Sequence, residues 1–526
     1  MIGFLERTPA APGLLVVSGL VASVALLALA IHGLPGMDVL NTNAAPRVLK
    51  NSALPIIGQL ANKGVDLIFA VFMLRLLGAE GNGQYAVAVV VWLYAKTIAD
   101  FGLSVLVTRD VARAPAEAGR LIGATTLLRL IILLALTIPI GLYVLSGLQW
   151  FGLSRPSAIA IGLLTLTIVP GSYTEAINAV FNGYERMELP AVLNVLTNLA
   201  RAAFGLAALL VGLGVVGLAA VAILSTTISA VAYHLALRHL DVTPSWALHH
   251  AEARSLLESA WPLLLNALLV NLFFRADVFI IQATHGDAAL GTYDAAYKYL
   301  NMLLLIPAYF TLAIFPIISR YAVDDARRLI TTFQLGAKLL LITALPITIA
   351  TVALAPLLIR VLAGPAFLPD SATLLRVLIW FLPLSYVNGM TQYVLIAVDR
   401  QRSISRAFGI AVAFNLLANA IFVPLFGSMA AAAITVATEL VLFVPLALHM
   451  RRALSEVPWG AIFTRPLLAG AIMLAVELAA RPLGSIAAVA LALVAYLGAL
   501  VLTGSIGAQE AQIGRTLLRR AETPTV

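Results

Sequence analysis

Polar positions in this chain come in short clusters, and apolar positions come in long unbroken runs. Residues 127–145 and 339–358 typify the runs. Neither alternates, whereas a membrane β-strand would alternate over roughly ten residues. In lipid the backbone must satisfy its own hydrogen bonds, so the runs predict helices. A helix needs about 20 apolar residues to cross a bilayer. By that measure the spans fall at 53–78, 84–107, 121–147, 157–182, 189–211, 213–237, 257–284, 291–318, 330–358, 372–397, 403–424, 427–450, 462–480 and 484–504, about 14 in all. A further apolar stretch, residues 14–31, precedes them. We take it as an extra peripheral N-terminal helix without a part in the mechanism.

The polar clusters sort by sign. Alternate loops carry Arg47 and Lys50, then Arg109, Arg113 and Arg120, then Arg186. The same set continues through Arg238, Arg254, Arg320, Arg327, Arg328, Arg400, Arg402, Arg406, Arg451, Arg452 and Arg465 to Arg515, Arg519 and Arg520. The intervening loops hold only Arg75, Arg155, Arg360 and Arg481. Positive loops stay on the cytoplasmic side. A single miscounted helix would swap every loop after it, so the bias predicts an even number of spans after residue 50 and a cytoplasmic C-terminus.

Composition narrows the class. Of 526 residues, 61% are hydrophobic and 11% charged, against about 25% charged in soluble domains. The net charge of +8 is accounted for by loop bias, without nucleic acid. There is no cysteine, and seven histidines are scattered, so no disulfide framework, metal motif or cofactor site is expected. No P-loop is present. The loops are too short for a catalytic domain, which argues against an enzyme.

The chain repeats itself. LRLLGAEGNGQY (74–85) ends in Gly83 and Tyr85, and GDAALGTY (286–293) ends in Gly291 and Tyr293. Pro55 and Pro262 occupy matching places in the helices before them. FNGYER (181–186) and LIAVDR (395–400) each close one span and open the next. All offsets are near 210 residues. The predicted fold is therefore an all-α polytopic membrane protein of two repeated six-helix bundles and two C-terminal helices. Its parts are the extra segment at 1–45, an N-lobe at 46–238, a cytoplasmic connector at 239–256, a C-lobe at 257–450, and the terminal helices and tail at 451–526. An even number of spans separates the repeats, so they are parallel, as in transporters that rock two bundles about a central site.

Charges inside spans mark cavities or partners, because each costs at least ~2.5–3.5 kcal/mol at mid-bilayer. They are Lys63, Asp66, Lys96, Asp100, Arg129, Glu175, Arg201, Arg275, Asp277, Asp294, Lys298, Lys338 and Glu439. Helical spacing predicts local pairs between Lys63 and Asp66, Lys96 and Asp100, and Asp294 and Lys298. Arg275 and Asp277 point to different sides and each needs another partner. Glu439 lies apart and reads as structural.

Three stretches, NSALPIIGQL (51–60), LRLLGAEGNGQYAVA (74–88) and DFGLSVLVTRD (100–110), resemble the polysaccharide-biosynthesis flippase family of the multidrug/oligosaccharidyl-lipid/polysaccharide exporter superfamily. The resemblance extends over about 45–505, while the first 40 residues depart from it. It implies a bacterial inner-membrane protein that flips undecaprenyl-linked oligosaccharide or polysaccharide repeat units by alternating access. The lipid-linked oligosaccharide and membrane lipid are then its partners, along with a polysaccharide polymerase or export machinery. It also implies that the first, second, seventh and eighth spans line a cleft between bundles. A pyrophosphate there needs cations, and Arg offers bidentate contacts. Lys63, Arg275 and Lys298 are the first candidates, then Arg129 and Arg201. Asn62, Asn266, Asn271 and Tyr293, with Gln59 and Asn301, are candidates for sugar hydroxyls. Asp66, Asp277 and Glu175 are candidates for cation coupling, since burial brings a carboxylate towards neutrality. The rivals are an organic-cation or multidrug antiporter of the same superfamily, which favours a net acidic cleft, and a membrane glycosyltransferase or polymerase, which needs larger outer loops.

Overall fold

The computed structural model describes residues 45–454 and 457–505, with side chains from residue 58 onward. The apolar stretch at 14–31 and the tail beyond 505 lie outside the described residues. Among the described residues every regular element is helical. The first repeat comprises α1 (Ala45–Asp100), α2 (Leu103–Arg113), α3 (Ala118–Trp150), α4 (Arg155–Leu166), α5 (Ile168–Gly183), α6 (Glu188–Leu210) and α7 (Gly214–Ala236). The second comprises α8 (His250–Arg275), α9 (Asp277–Leu303), α10 (Leu305–Asp324), α11 (Ala326–Leu362), α12 (Asp370–Leu378), α13 (Phe381–Ala397) and α14 (Gln401–Ala453). A terminal hairpin, α15 (Trp459–Ala480) and α16 (Ser485–Leu502), packs against α11.

The length of α1 explains how the first repeat folds. Its 56 residues would reach about 84 Å if straight, far beyond a hydrocarbon core of about 30 Å. It breaks at Gly78, where φ is 67° and ψ −173°. Lys63 and Lys96, on opposite sides of the break, line one cavity, so the two arms lie side by side. Only glycine adopts that backbone cheaply. In the second repeat α9 breaks in the same way at Gly286, with φ 79° and ψ −179°, and α14 breaks at Gly427. Among the described residues ten helices are long and apolar enough to cross a membrane, or eleven with the bent pair α12–α13. Hydropathy counted apolar segments and reached 14; the structure counts helices across these breaks and does not establish that number.

The repeat is visible at single hydrogen bonds. The Arg186 amide donates to the Phe181 carbonyl at 3.0 Å and the Glu185 amide to Asn182 at 3.1 Å. The Arg400 amide donates to Leu395 at 2.8 Å and the Asp399 amide to Ile396 at 3.1 Å. Glu185 and Asp399 both hold positive φ, 56° and 57°. The acid–Arg pairs read from the sequence therefore make the same helix-ending turn.

The two repeats meet most extensively between α1 and α9. A Cβ on Gly83 would lie 1.7 Å from the Asp287 carbonyl oxygen, and one on Gly291 would lie 1.7 Å from that of Ala79. These pairs differ by the same 208 positions, so the contact is reciprocal. Small residues allow backbones to approach within membranes in this way. The core continues from there through Val87, Ile281, Leu290, Leu300, Leu378 and Leu382, all fully buried. The opposite surface is apolar and exposed. On α3, Leu134, Ile138 and Leu142 form one exposed stripe at four-residue spacing, and Trp150 stands exposed at the helix end, where an aromatic would meet the membrane surface.

Candidate functional site

Helical spacing puts Lys63, Asp66, Ala70 and Met73 on one face of the first arm of α1, and Tyr85, Val89, Trp92, Lys96 and Asp100 on one face of the second. Both faces line a cavity of about 890 Å³. Arg129 of α3, Glu175 and Asn178 of α5, Asn194 and Arg201 of α6, and Thr226, Ser229 and Tyr233 of α7 complete its first-repeat wall. The second repeat supplies Arg275, Asp294, Lys298 and Asn301. The cavity thus belongs mainly to the first repeat, closed on one side by the second.

Two of the three local pairs expected from spacing are replaced by pairs between helices. Asp66 accepts from Arg201 at 2.7 Å instead of pairing with Lys63. Asn198 braces that pair, accepting from Arg201 at 2.7 Å and donating to Asp66 at 3.3 Å. Lys96 meets Glu175 at 2.6 Å instead of Asp100. Asp100 turns to Arg129 at 2.9 Å, and Ser104 accepts from the same guanidinium at 3.0 Å. A pair at i,i+3 or i,i+4 on one helix is worth only ~0.2–0.5 kcal/mol, so a partner presented by a facing helix readily replaces it.

The third pair forms as expected. Lys298 donates to Asp294, and Arg275 reaches the other Asp294 oxygen at 3.4 Å. That distance is long for a charge-assisted bond, which usually measures about 2.7–2.9 Å. The Arg275 guanidinium also lies 4.6 Å from the Tyr297 ring centroid. Asn82 bridges the cluster. It donates to Asp294 at 3.3 Å and to the Gly291 carbonyl at 2.9 Å, and accepts from Lys298 at 3.0 Å. Among the described residues Lys63 makes no ion pair and no hydrogen bond.

The cavity therefore carries six basic side chains, Lys63, Lys96, Arg129, Arg201, Arg275 and Lys298, and four acidic ones, Asp66, Asp100, Glu175 and Asp294. After pairing, the excess lies at Lys63 and at the two cations that share Asp294. An anion entering there would meet donors that are not fully engaged.

Several other candidates from the sequence do not line this cavity. Asp277 is buried against the Tyr293 hydroxyl, which donates to it. Its other oxygen is buried without a partner. Tyr293 is itself fully buried. The Asn271 amide donates to Thr97 at 2.8 Å and ties α8 to α1. Asn62 stands beside the cavity with a buried, unpartnered side-chain oxygen, Asn266 is exposed, and Gln59 accepts from Tyr309 at 3.4 Å. Asn301 does line the cavity. Glu439 is buried in the second repeat, accepting from Asn388 at 2.7 Å.

Sequence reasoning missed Asn82, Asn198 and Trp92. A signal existed for Asn82: it is polar where the equivalent position of the second repeat, Leu290, is apolar. Nothing in the sequence marked Trp92, whose indole N–H donates to Thr167 at 2.9 Å beside Lys96.

The polysaccharide biosynthesis protein family model matches residues 48–322, and the MatE family model matches residues 262–421. No curated protein matches by sequence. Among solved structures, a lipid II flippase MurJ in an inward closed conformation aligns with a TM-score of 0.71 and 13% identity, over 86% of this chain and 99% of that one. An inward-facing multidrug resistance MATE family transporter aligns with a TM-score of 0.59 and 17% identity, over 74% and 94%. A transporter of the MOP superfamily from Pyrococcus furiosus aligns with a TM-score of 0.53 and 14% identity, over 82% and 99%. These likenesses are of fold.

Proposed function

Because the chain belongs to the polysaccharide biosynthesis protein family, we propose that it carries undecaprenyl-linked oligosaccharide or polysaccharide repeat units across the bacterial inner membrane by alternating access. The observation that supports this reading best is the excess of basic over acidic side chains in the cavity, six against four.

The substrate's pyrophosphate displaces part of the Asp294 bonding. Arg275, held at 3.4 Å, and Lys298 turn to it, and Lys63 meets it from the facing arm of α1. Burial strengthens such contacts, since charges attract more strongly in a low dielectric. Sugar hydroxyls meet Asn301, Asn178 and Thr226 on the same wall, and the prenyl tail stays in lipid. Arg129 and Arg201, already paired, serve as neutralised wall. Asp66 and Glu175 are the cavity carboxylates for cation coupling, each able to exchange its present partner for an incoming cation. Glycan polymerase or export machinery takes the unit on the far side, and the C-terminus is cytoplasmic.

The experiment is complementation of a flippase-deficient strain, with lipid-linked intermediates assigned to each leaflet. Restored export with intermediates reaching the outer leaflet supports the reading. Restored drug resistance without glycan export supports a second one, a cation-coupled organic-cation or multidrug antiporter, which the MatE match at 262–421 favours. The basic excess counts against that second reading, because a cationic cargo needs net acidic surroundings.

A further inference from the structure

A second, smaller pocket of about 350 Å³ lies far along the chain from the transport cavity, between α11, α12 and the terminal hairpin. Val352, Ala353, Arg376, Glu477, Arg481 and Ser485 line it. From these groups we infer a binding site for the phosphate of a membrane lipid, a reading that does not depend on what the main cavity carries.

The hairpin fixes where the pocket sits. α15 has 22 residues and α16 has 18, each close to the thickness of a hydrocarbon core. The turn between them, Arg481–Leu483, therefore lies at a membrane surface. Arginines are scarce in the loops on this side, so two in one pocket need a local reason.

Both guanidiniums are exposed, and each is held in place by a partner. Glu477 is buried and takes Arg481 in a two-pronged pair, Nε to one oxygen at 3.0 Å and a terminal nitrogen to the other at 3.2 Å. That pair fixes the guanidinium and neutralises one charge. Arg376 donates through Nε to the Val352 carbonyl at 3.3 Å. Among the described residues its terminal nitrogens have no other partner, so one positive charge is left over. Ser485 opens α16, and no side chain caps that helix. Ser485 lines the pocket, so the uncapped end of α16, with its free first amides and positive dipole end, adjoins it. A planar guanidinium, a hydroxyl and a helix N-terminus together suit a phosphate. Leu478, Leu483 and Ile486 are exposed beside the turn, offering acyl chains an apolar surface that a free anion would not use. Basic pockets between spanning helices recognise lipid headgroups in this manner.

Native mass spectrometry of the full chain in neutral detergent tests the site, with phosphatidylglycerol, undecaprenyl phosphate and the uncharged control diacylglycerol as probes. Arg376→Gln removes the surplus charge and costs the fold only one bond to a carbonyl. The pair Glu477→Gln with Arg481→Gln keeps the buried charge balanced, so a folded variant is available by either route. The wild-type chain is expected to retain phosphate-bearing lipids about tenfold more than diacylglycerol, with that preference lost in both variants. Stronger retention of phosphatidylglycerol assigns the pocket to bilayer lipid, and stronger retention of undecaprenyl phosphate assigns it to a carrier lipid; either supports the phosphate site. Undiminished retention by both variants overturns it, as does displacement of both lipids by inorganic phosphate alone.

Discussion

Gly83 and Gly291 approach each other so closely that each lies against the other's helix backbone: a Cβ on either would stand 2.9 Å from the other's amide nitrogen and 1.7 Å from a carbonyl one turn away. The contact joins the two repeats at equivalent positions, next to Asn82 and the Asp294 cluster. Overpacked sites cost about 1–3 kcal/mol where neighbours can shift, and here the obstacle is backbone. Gly83→Ala or Gly291→Ala should therefore lower the melting temperature in detergent by several degrees. Alanine at Gly64, which has open space around it, should leave it nearly unchanged. Equal melting of all three would show that the repeats do not meet as described.

Two of the three inter-helix pairs of the first repeat should differ in energetic weight. The Arg129 side chain is 1% exposed, and removing its partner strands a buried charge, a loss of about 3–5 kcal/mol. Asp100→Asn should accordingly be strongly destabilising, and adding Arg129→Gln should recover much of the loss. Arg201 and Asp66 are 37% and 41% exposed, so Asp66→Asn should cost about 1 kcal/mol or less. Thermal unfolding of the single and double variants checks both expectations; a larger loss for Asp66→Asn would reverse the ranking.

Asn82 should matter to transport through the ions it positions. It holds Lys298 and Asp294, which line the cavity, in register without lining the cavity itself. Asn82→Leu, the residue found at the matching position of the other repeat, should fold and insert while transport falls at least tenfold, a loss of about 1.4 kcal/mol. Normal transport by this variant would show that the Asp294 cluster needs no brace.

Lys63 should behave differently from the paired cations. It has no ionic partner among the described residues, so Lys63→Gln leaves no carboxylate stranded. Expression and melting should stay within about 0.5 kcal/mol of wild type, as for an exposed position, while substrate affinity drops. Leaflet-resolved uptake measured against substrate concentration separates the two effects, and unchanged affinity would remove Lys63 from the site.

The helical class, the repeat and its acid–Arg turns were legible because each rests on local chemistry: hydropathy, glycine at a left-handed break, a repeated helix end. The Asp294–Lys298 pair was legible for the same reason. The pairs of Asp66 with Arg201 and of Asp100 with Arg129 were not, because they depend on which helices face each other, and apolar periodicity in lipid does not encode that. The cavity's bias towards the first repeat was hidden likewise: Arg275 and Asp277 are two residues apart, yet only Arg275 reaches the cavity while Asp277 packs against Tyr293. Span number was obscured at Gly78, Gly286 and Gly427, where helix continues on both sides of a break.

The most direct measurement is the leaflet distribution of lipid-linked oligosaccharide in a flippase-deficient strain expressing either the wild-type chain or Arg275→Ala. The wild-type chain should move the intermediate to the outer leaflet, and Arg275→Ala, inserted at the same level, should leave it on the inner one. Equal movement by both would contradict a site in which Arg275 binds the pyrophosphate. No movement by the wild-type chain would contradict the proposed cargo itself.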